Sequence, residues 1–263
     1  MLGVFDSGLG GLSSIKELSC CLPNEDIIYF GDTGRVPYGT RSSEIITQYA
    51  LQDARFLMQF SPRAILVACG TVSSVAMDAL RENFEIPILG VVDAAVDAAL
   101  AATKNKKIAV LGTPATIHSG SYVKKLKEKC DKVEVVAIPC PLFVPLVENG
   151  HIDADDPIVQ ATVAHYLGEA IEFGADTVIL GCTHYPLLKA AIGEFIGKEV
   201  KLINAAAEAA QELKKVLGEI GAQESGEQRF FVSDSPDGFA KTARIFLKKD
   251  IKKAVQRIDI GAY

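Results

Sequence analysis

The sequence predicts an α/β protein made of two related halves, each built on an open, mainly parallel sheet. Short Val- and Ile-rich runs alternate with amphipathic stretches of helical length, the pattern of successive βαβ units. A length of 263 residues admits one large unit or two smaller ones. One arrangement also occurs twice. Strands near 2–5, 27–30 and 64–68 lead to Cys69-Gly70-Thr71, and strands near 108–111, 133–138 and 177–181 lead to Cys182-Thr183-His184. The middle strand of each set runs into a proline-containing loop, Arg35-Val36-Pro37-Tyr38-Gly39 in one and Val144 to Gly150 in the other.

Further strands are expected near 88–92 and 200–203, and two more near 229–232 and 255–260. All of these runs are short for helices, and Gly, Pro, Asp or Asn punctuate many of them. From Ser43 to Phe60 the apolar residues Ile45, Ile46, Tyr49, Ala50, Phe56, Leu57 and Phe60 share roughly one helical stripe, which Ser61-Pro62 ends. Asp156-Pro157 and Ser235-Pro236 each put a capping side chain before a proline at the first helical position. Helices therefore start there and run to about Phe173 and Leu247. Asn204 is suited to cap the helix that follows it.

Composition narrows the function. Hydrophobic residues at 49% and charged residues at 23% exclude disordered and fibrous classes. A net charge of -6 opposes a nucleic-acid partner, and Lys106-Lys107 and Lys248-Lys249 are too short to make a basic face. There is no 18-residue apolar run, and Met1 to Asp6 lacks the features of a signal peptide, so the expectation is a cytoplasmic protein with no membrane partner. The six cysteines form neither a disulfide framework nor C-x-x-C metal pairs and are expected to be reduced thiols.

In open parallel sheets ligands bind beyond the carboxyl ends of the strands, where turns present free N–H groups. Four polar clusters fall there: Asp6-Ser7-Gly8, Cys69 to Ser74, Gly112-Thr113-Pro114-Ala115-Thr116, and Gly181 to Pro186. The first runs on to Gly10-Gly11 but lacks the Lys-Ser/Thr of a P-loop and the spacing of a dinucleotide fingerprint, which argues against a nucleotide. A lone cysteine at a strand end is more often a small buried hydrophobe than a nucleophile. Two at matched points of two half-repeats, Cys69 and Cys182, point instead to thiol chemistry, with a helix N-terminus expected to lower a thiol's pKa. His184, two residues past Cys182, is expected on the same side of an extended segment. Cys20, Cys21, Cys130 and Cys140 lack this setting, and no lysine is singled out for a pyridoxal phosphate Schiff base.

Four strings, Gly3 to Leu12, Tyr29 to Thr33 with Arg35 to Gly39, Pro141 to Gly150, and Gly181 to Leu188, resemble the motifs of glutamate racemases, and the resemblance spans essentially the whole chain. It implies a cofactor-independent isomerase that interconverts L- and D-glutamate and supplies the D-isomer for peptidoglycan. It further implies two α/β domains with the active site in the cleft between them, residues 1–94 plus 205–263 and residues 95–204, in a homodimer. By the same resemblance Cys69 acts on the D-isomer and Cys182 on the L-isomer, Asp6 assists the first thiol, and Glu148 and His184 assist the second. Asp6, Ser7, Tyr38, Gly39, Gly70, Thr71, Thr183 and His184 would hold the substrate. Two positions depart from the family pattern: Gly70 stands where Asn is usual, and Asn204 where Asp is common. The first implies a lost carboxamide contact, with a water in its place. It leaves open a racemase of another amino acid such as aspartate, or a non-catalytic regulatory member of the same fold.

Overall fold

The structure, a computed structural model, describes residues 1–218 and 226–263. All ten expected strands are present: β1 (Leu2–Asp6), β2 (Ile27–Gly31), β3 (Ile65–Val67), β4 (Ile88–Gly90), β5 (Lys107–Gly112), β6 (Glu134–Pro139), β7 (Thr177–Leu180), β8 (Lys201–Asn204), β9 (Gln228–Val232) and β10 (Val255–Arg257). They form two sheets in which every pairing is parallel, a six-stranded one ordered β10-β9-β2-β1-β3-β4 and a four-stranded one ordered β6-β5-β7-β8. The repeat read from the sequence is thus a repeat of topology, because β2-β1-β3-β4 and β6-β5-β7-β8 follow the same order. β9 and β10 extend only the first sheet.

Two strands end two or more residues earlier than expected. β4 stops at Gly90 because Val91 opens the helix Val91–Ala102, which takes the apolar pair Val91 and Val92 into the core. β10 stops at Arg257. Ile258 still donates its N–H to the Val232 carbonyl at 2.9 Å, and Asp259 then turns the chain by accepting from the Gly261 amide at 3.0 Å.

The capping residues act as expected. Asp156 accepts from the Ile158 amide at 2.8 Å and starts Pro157–Phe173, which ends on Gly174 in the left-handed region at φ +76°. Ser235 accepts from the Gly238 amide to start Pro236–Leu247, and Asn204 accepts from the Ala206 amide to start Ala205–Leu217. Ser42 caps Ser43–Met58, the helix expected from the apolar stripe.

β1 shows why the strands carry so few polar residues. Leu2 and Val4 enter one hydrophobic cluster while Phe5 enters another on the opposite face, so the sheet is covered on both sides. Burying each such large side chain contributes about 1.5–3 kcal/mol. Among the described residues no helix is long and apolar enough to cross a membrane.

Candidate active site

The carboxyl ends of the two sheets converge on one cavity of about 410 Å³, lined from both halves. In a 2-1-3-4 sheet the crevice lies where the strand order reverses, between the first and third strands. β1 delivers Ser7 to that point, with the buried Asp6 before it off the cavity wall, and β3 delivers Cys69. In the other half β5 delivers Thr113 and β7 delivers Cys182.

Cys69 is the cap residue of the helix Gly70–Val75 and is 4% exposed. Its thiol contacts Ser7 Oγ at 3.4 Å. Burial pushes the thiol up to about 12, and the negative charge of Asp6 adds to that push. The Ser7 hydroxyl and the Val72 amide at the helix start pull the other way and do not prevail. The expected acidifying effect of the helix N-terminus is therefore outweighed here, because the sulfur is out of water and beside a carboxyl group. Asp6 is itself buried. Its Oδ2 accepts from the Gly8 amide at 3.1 Å, and its Oδ1 has no partner among the described residues. Burial raises its pKa even though backbone amides and the charge of His184 oppose the rise.

On the opposite side Cys182 Sγ lies 3.8 Å from His184 Nδ1, and His184 Nε2 lies 3.0 Å from Glu148 Oε1. The proximity of the first pair was expected, but its geometry is different. His184 has φ -80° and ψ -32°, so a tight turn leading into the 3-10 segment Tyr185–Leu188 folds the imidazole back over the sulfur, in place of an extended segment. Burial works against a charged imidazole, yet hydrogen bonds to Cys182 and Glu148, together with their charges, outweigh it and hold His184 at about 10. The site thus has a protonated thiol on one flank and a thiol beside an imidazolium on the other.

The remaining expected residues line the same cavity, with two changes of role. The Tyr38 hydroxyl points away from it and hydrogen-bonds to Asp32 and to Asp53 Oδ2, the latter at 3.2 Å. What Tyr38-Gly39 present to the cavity is backbone: the Gly39 amide lies in the first turn of a 3-10 segment, where an N–H has no partner within the turn. At Gly70 the space a Cβ would take is filled by the Gly181 carbonyl. Thr183 Oγ1 lies 3.4 Å from His184 Nδ1, within the turn.

Two features go beyond the roles read from the sequence. Thr71 Oγ1 lies 2.9 Å from Thr113 Oγ1, which in turn lies 3.0 Å from Thr116 Oγ1, so three hydroxyls from both halves meet, with Thr71 and Thr113 on the cavity wall. Their signal was present in Gly112-Thr113-Pro114-Ala115-Thr116, a capping threonine directly after a strand. Behind the Tyr38 loop, Arg35 bridges Asp32 and Asp53, both fully buried, and distant sequence positions gave no hint of that cluster. Cys20, Cys21, Cys130 and Cys140 lie outside the cavity.

Paired parallel sheets with two thiols on one cavity define an isomerase of the racemase class. The family model for Asp/Glu/Hydantoin racemase matches residues 21–213. A glutamate racemase of Geobacter metallireducens is 46% identical over 250 residues, covering 94% of this chain and 92% of that protein. One of Persephonella marina is 45% identical, covering 95% and 94%. Among solved structures, glutamate racemase of Francisella tularensis in complex with D-glutamate superposes with TM-score 0.91 at 37% identity, covering 100% of this chain and 98% of that one. A Bacillus anthracis glutamate racemase superposes with TM-score 0.94 at 37% identity, covering 98% and 97%. The chain belongs to the glutamate racemase family.

Proposed function

We propose that this protein interconverts L- and D-glutamate by moving a proton between Cα and two thiols, without a cofactor. The observation that carries this reading is the shared cavity of Cys69 and Cys182, each with its own ionisable partner. Inversion through a planar carbanion needs a base on one face and an acid on the other. For the L-isomer, Cys182 acts as the thiolate and takes the Cα proton to become S–H, the electron pair left on Cα delocalises into the α-carboxylate, and the Cys69 S–H delivers its proton to the opposite face and is left as the thiolate. The sulfurs exchange roles for the D-isomer.

The electrostatics fit this division. An imidazolium beside Cys182 stabilises negative charge on that sulfur, and Glu148 holds the imidazole in place. Cys69, pushed up to about 12, is a proton donor at rest, and Asp6 beside it is the group that receives or returns its proton. Ser7, Gly39, Thr71, Thr183 and His184, which line the cavity, anchor the substrate, and the hydroxyls and amides among them meet its carboxylates without adding a base, while Asp6 acts from behind the cavity wall. Tyr38 contributes its backbone and Gly70 contributes space.

Residues 1–94 with 205–263 form one domain in this reading and residues 95–204 the other, in agreement with the two sheets. By family membership we assign the protein a cytoplasmic role as a homodimer that supplies D-glutamate for peptidoglycan. The test is circular dichroism of L-glutamate incubated with wild type, Cys69→Ala and Cys182→Ala. Wild type should abolish the optical signal and neither variant should change it. Racemisation by either variant removes that cysteine from the mechanism, and faster turnover of L-aspartate by wild type reassigns the substrate.

A further inference from the structure

The two halves approach each other closely at three glycines. A Cβ built on Gly70 would stand inside the contact surface of the Gly181 carbonyl oxygen, 3.2 Å from the carbonyl carbon and 3.7 Å from Cys182 Cα. One on Gly10 would overlap Thr183 Oγ1, and one on Gly39 would lie 3.0 Å from Thr113 Cβ. These three glycines follow β1, β2 and β3, and each faces a polar motif of the other half. At Gly10 the neighbours are the side chains of Thr183 and His184, and at Gly39 the nearest atom is Thr113 Cβ. At Gly70 it is backbone, and the contact joins the residue after Cys69 to the residue before Cys182.

The backbone at Gly70 does not itself call for glycine. It is the first residue of the helix Gly70–Val75, and it is not among the glycines with positive φ. Alanine is ordinarily the better residue in such a position. What the position requires is the absence of a side chain, because the second half occupies that space.

We propose that Gly70 is a positioning residue that sets the separation of the two thiols, by letting the backbone that carries Cys69 rest directly on the backbone that carries Cys182. The proposal rests on the two-thiol reading above. Restoring ordinary contact, 3.4 Å or more, between a Cβ and the Gly181 carbonyl moves the strand ends apart by about 1 Å, and a misplacement of that size costs about 100-fold in rate. The gauge differs from a substrate contact in a measurable way. If Gly70 marked only a lost carboxamide, Gly70→Asn would strengthen binding; if it is a gauge, Asn and Ala are both harmful and act on the chemical step.

The experiment measures kcat and KM for both enantiomers of glutamate in Gly70→Ala and Gly70→Asn, with Gly168→Ala as control, since a Cβ at Gly168 meets nothing within 4 Å. Both Gly70 variants should lose about 100-fold in kcat with KM within about threefold of wild type, and the control should match wild type. Unchanged kcat, a rise confined to KM, or improvement by Asn overturns the proposal. If both Gly70 variants fail to fold, the milder wedge Gly39→Ala decides: a fall in kcat at constant KM supports the gauge, and no fall overturns it. Cys69→Ala and Cys182→Ala, assayed alongside, keep the two readings apart. Racemisation by a cysteine variant defeats the two-thiol mechanism, whereas inactive cysteine variants with an active, folded Gly70→Ala defeat the gauge alone.

Discussion

The buried cluster behind the Tyr38 loop predicts a strongly non-additive pair of substitutions. Among the described residues Arg35 is the one cation paired with two fully buried carboxyls, donating from Nε to Asp32 and from Nη2 to Asp53 Oδ1 at 2.9 Å. The Tyr38 hydroxyl has a single hydrogen but lies within hydrogen-bond range of both acids. The two carboxyls therefore share one guanidinium charge. Burial, and then the charge of Asp32, pushes Asp53 above the usual carboxylate range, while Arg35 and the Tyr38 hydroxyl, which donates to Asp53 Oδ2, oppose the rise. Asp53→Asn keeps Arg35 paired with Asp32 and costs about 0.5 kcal/mol. Asp32→Asn leaves Asp53 to pair with Arg35, at about 1 kcal/mol. The double variant leaves a guanidinium that is only 18% exposed without a counter-charge, at about 4 kcal/mol. The coupling is then about 2.5 kcal/mol, and the double variant should melt about 8–16 °C below wild type. Thermal unfolding followed by far-UV circular dichroism measures all four corners of the cycle. Additivity within about 0.5 kcal/mol would refute the shared-charge account, and so would an Asp53→Asn cost as large as that of the double, since Asp32 alone would then fail to balance Arg35.

Three further outcomes are expected. Folded His184 keeps its proton to about pH 10 while the unfolded residue releases it near 6.5. Between those values the native state binds more protons, so the stability contributed by His184 is complete below 6.5 and is lost as pH rises toward 10. Chemical denaturation of His184→Asn should show a shallower decline over that window than wild type; equal slopes would contradict the assignment. Because the Cys69 thiol is pushed up to about 12, iodoacetamide near neutral pH should modify exposed Cys20 while leaving Cys69 untouched in substrate-free protein. Peptide mass mapping reads this, and comparable labelling of both would refute it. Asn204→Ala removes the acceptor for the Ala206 amide and should cost about 1 kcal/mol, a fall of about 2–4 °C in Tm; a shift below about 1 °C would mean the cap is dispensable.

Much of the fold could be read locally. Asp156, Ser235 and Asn204 announced their helices because a cap acts within three residues of itself, and the strands showed because parallel sheets covered on both faces leave nearly unbroken apolar runs. The thiols and their partners were legible through motif order. What escaped depends on contacts between distant segments. Tyr38 belonged to the right loop, but only the fold shows its hydroxyl turned toward Asp53. The turn at His184 is a local backbone choice that spacing alone could not distinguish from extension. Gly70, read as a missing carboxamide, is explained by a carbonyl 111 positions further along the chain.

The order in which the first sheet is completed bears on how the chain is made. β2 pairs with β1 on one side and with β9 on the other, and β9 lies beyond the whole four-stranded sheet in sequence. On the ribosome, the Ile27–Gly31 edge emerges some 200 residues before the segment that covers it. Throughout that interval a bare apolar edge competes for other strands. Synthesis of this protein therefore passes through an aggregation-exposed stage whose duration is set by translation of the inserted half, which makes the nascent chain a natural client for chaperones.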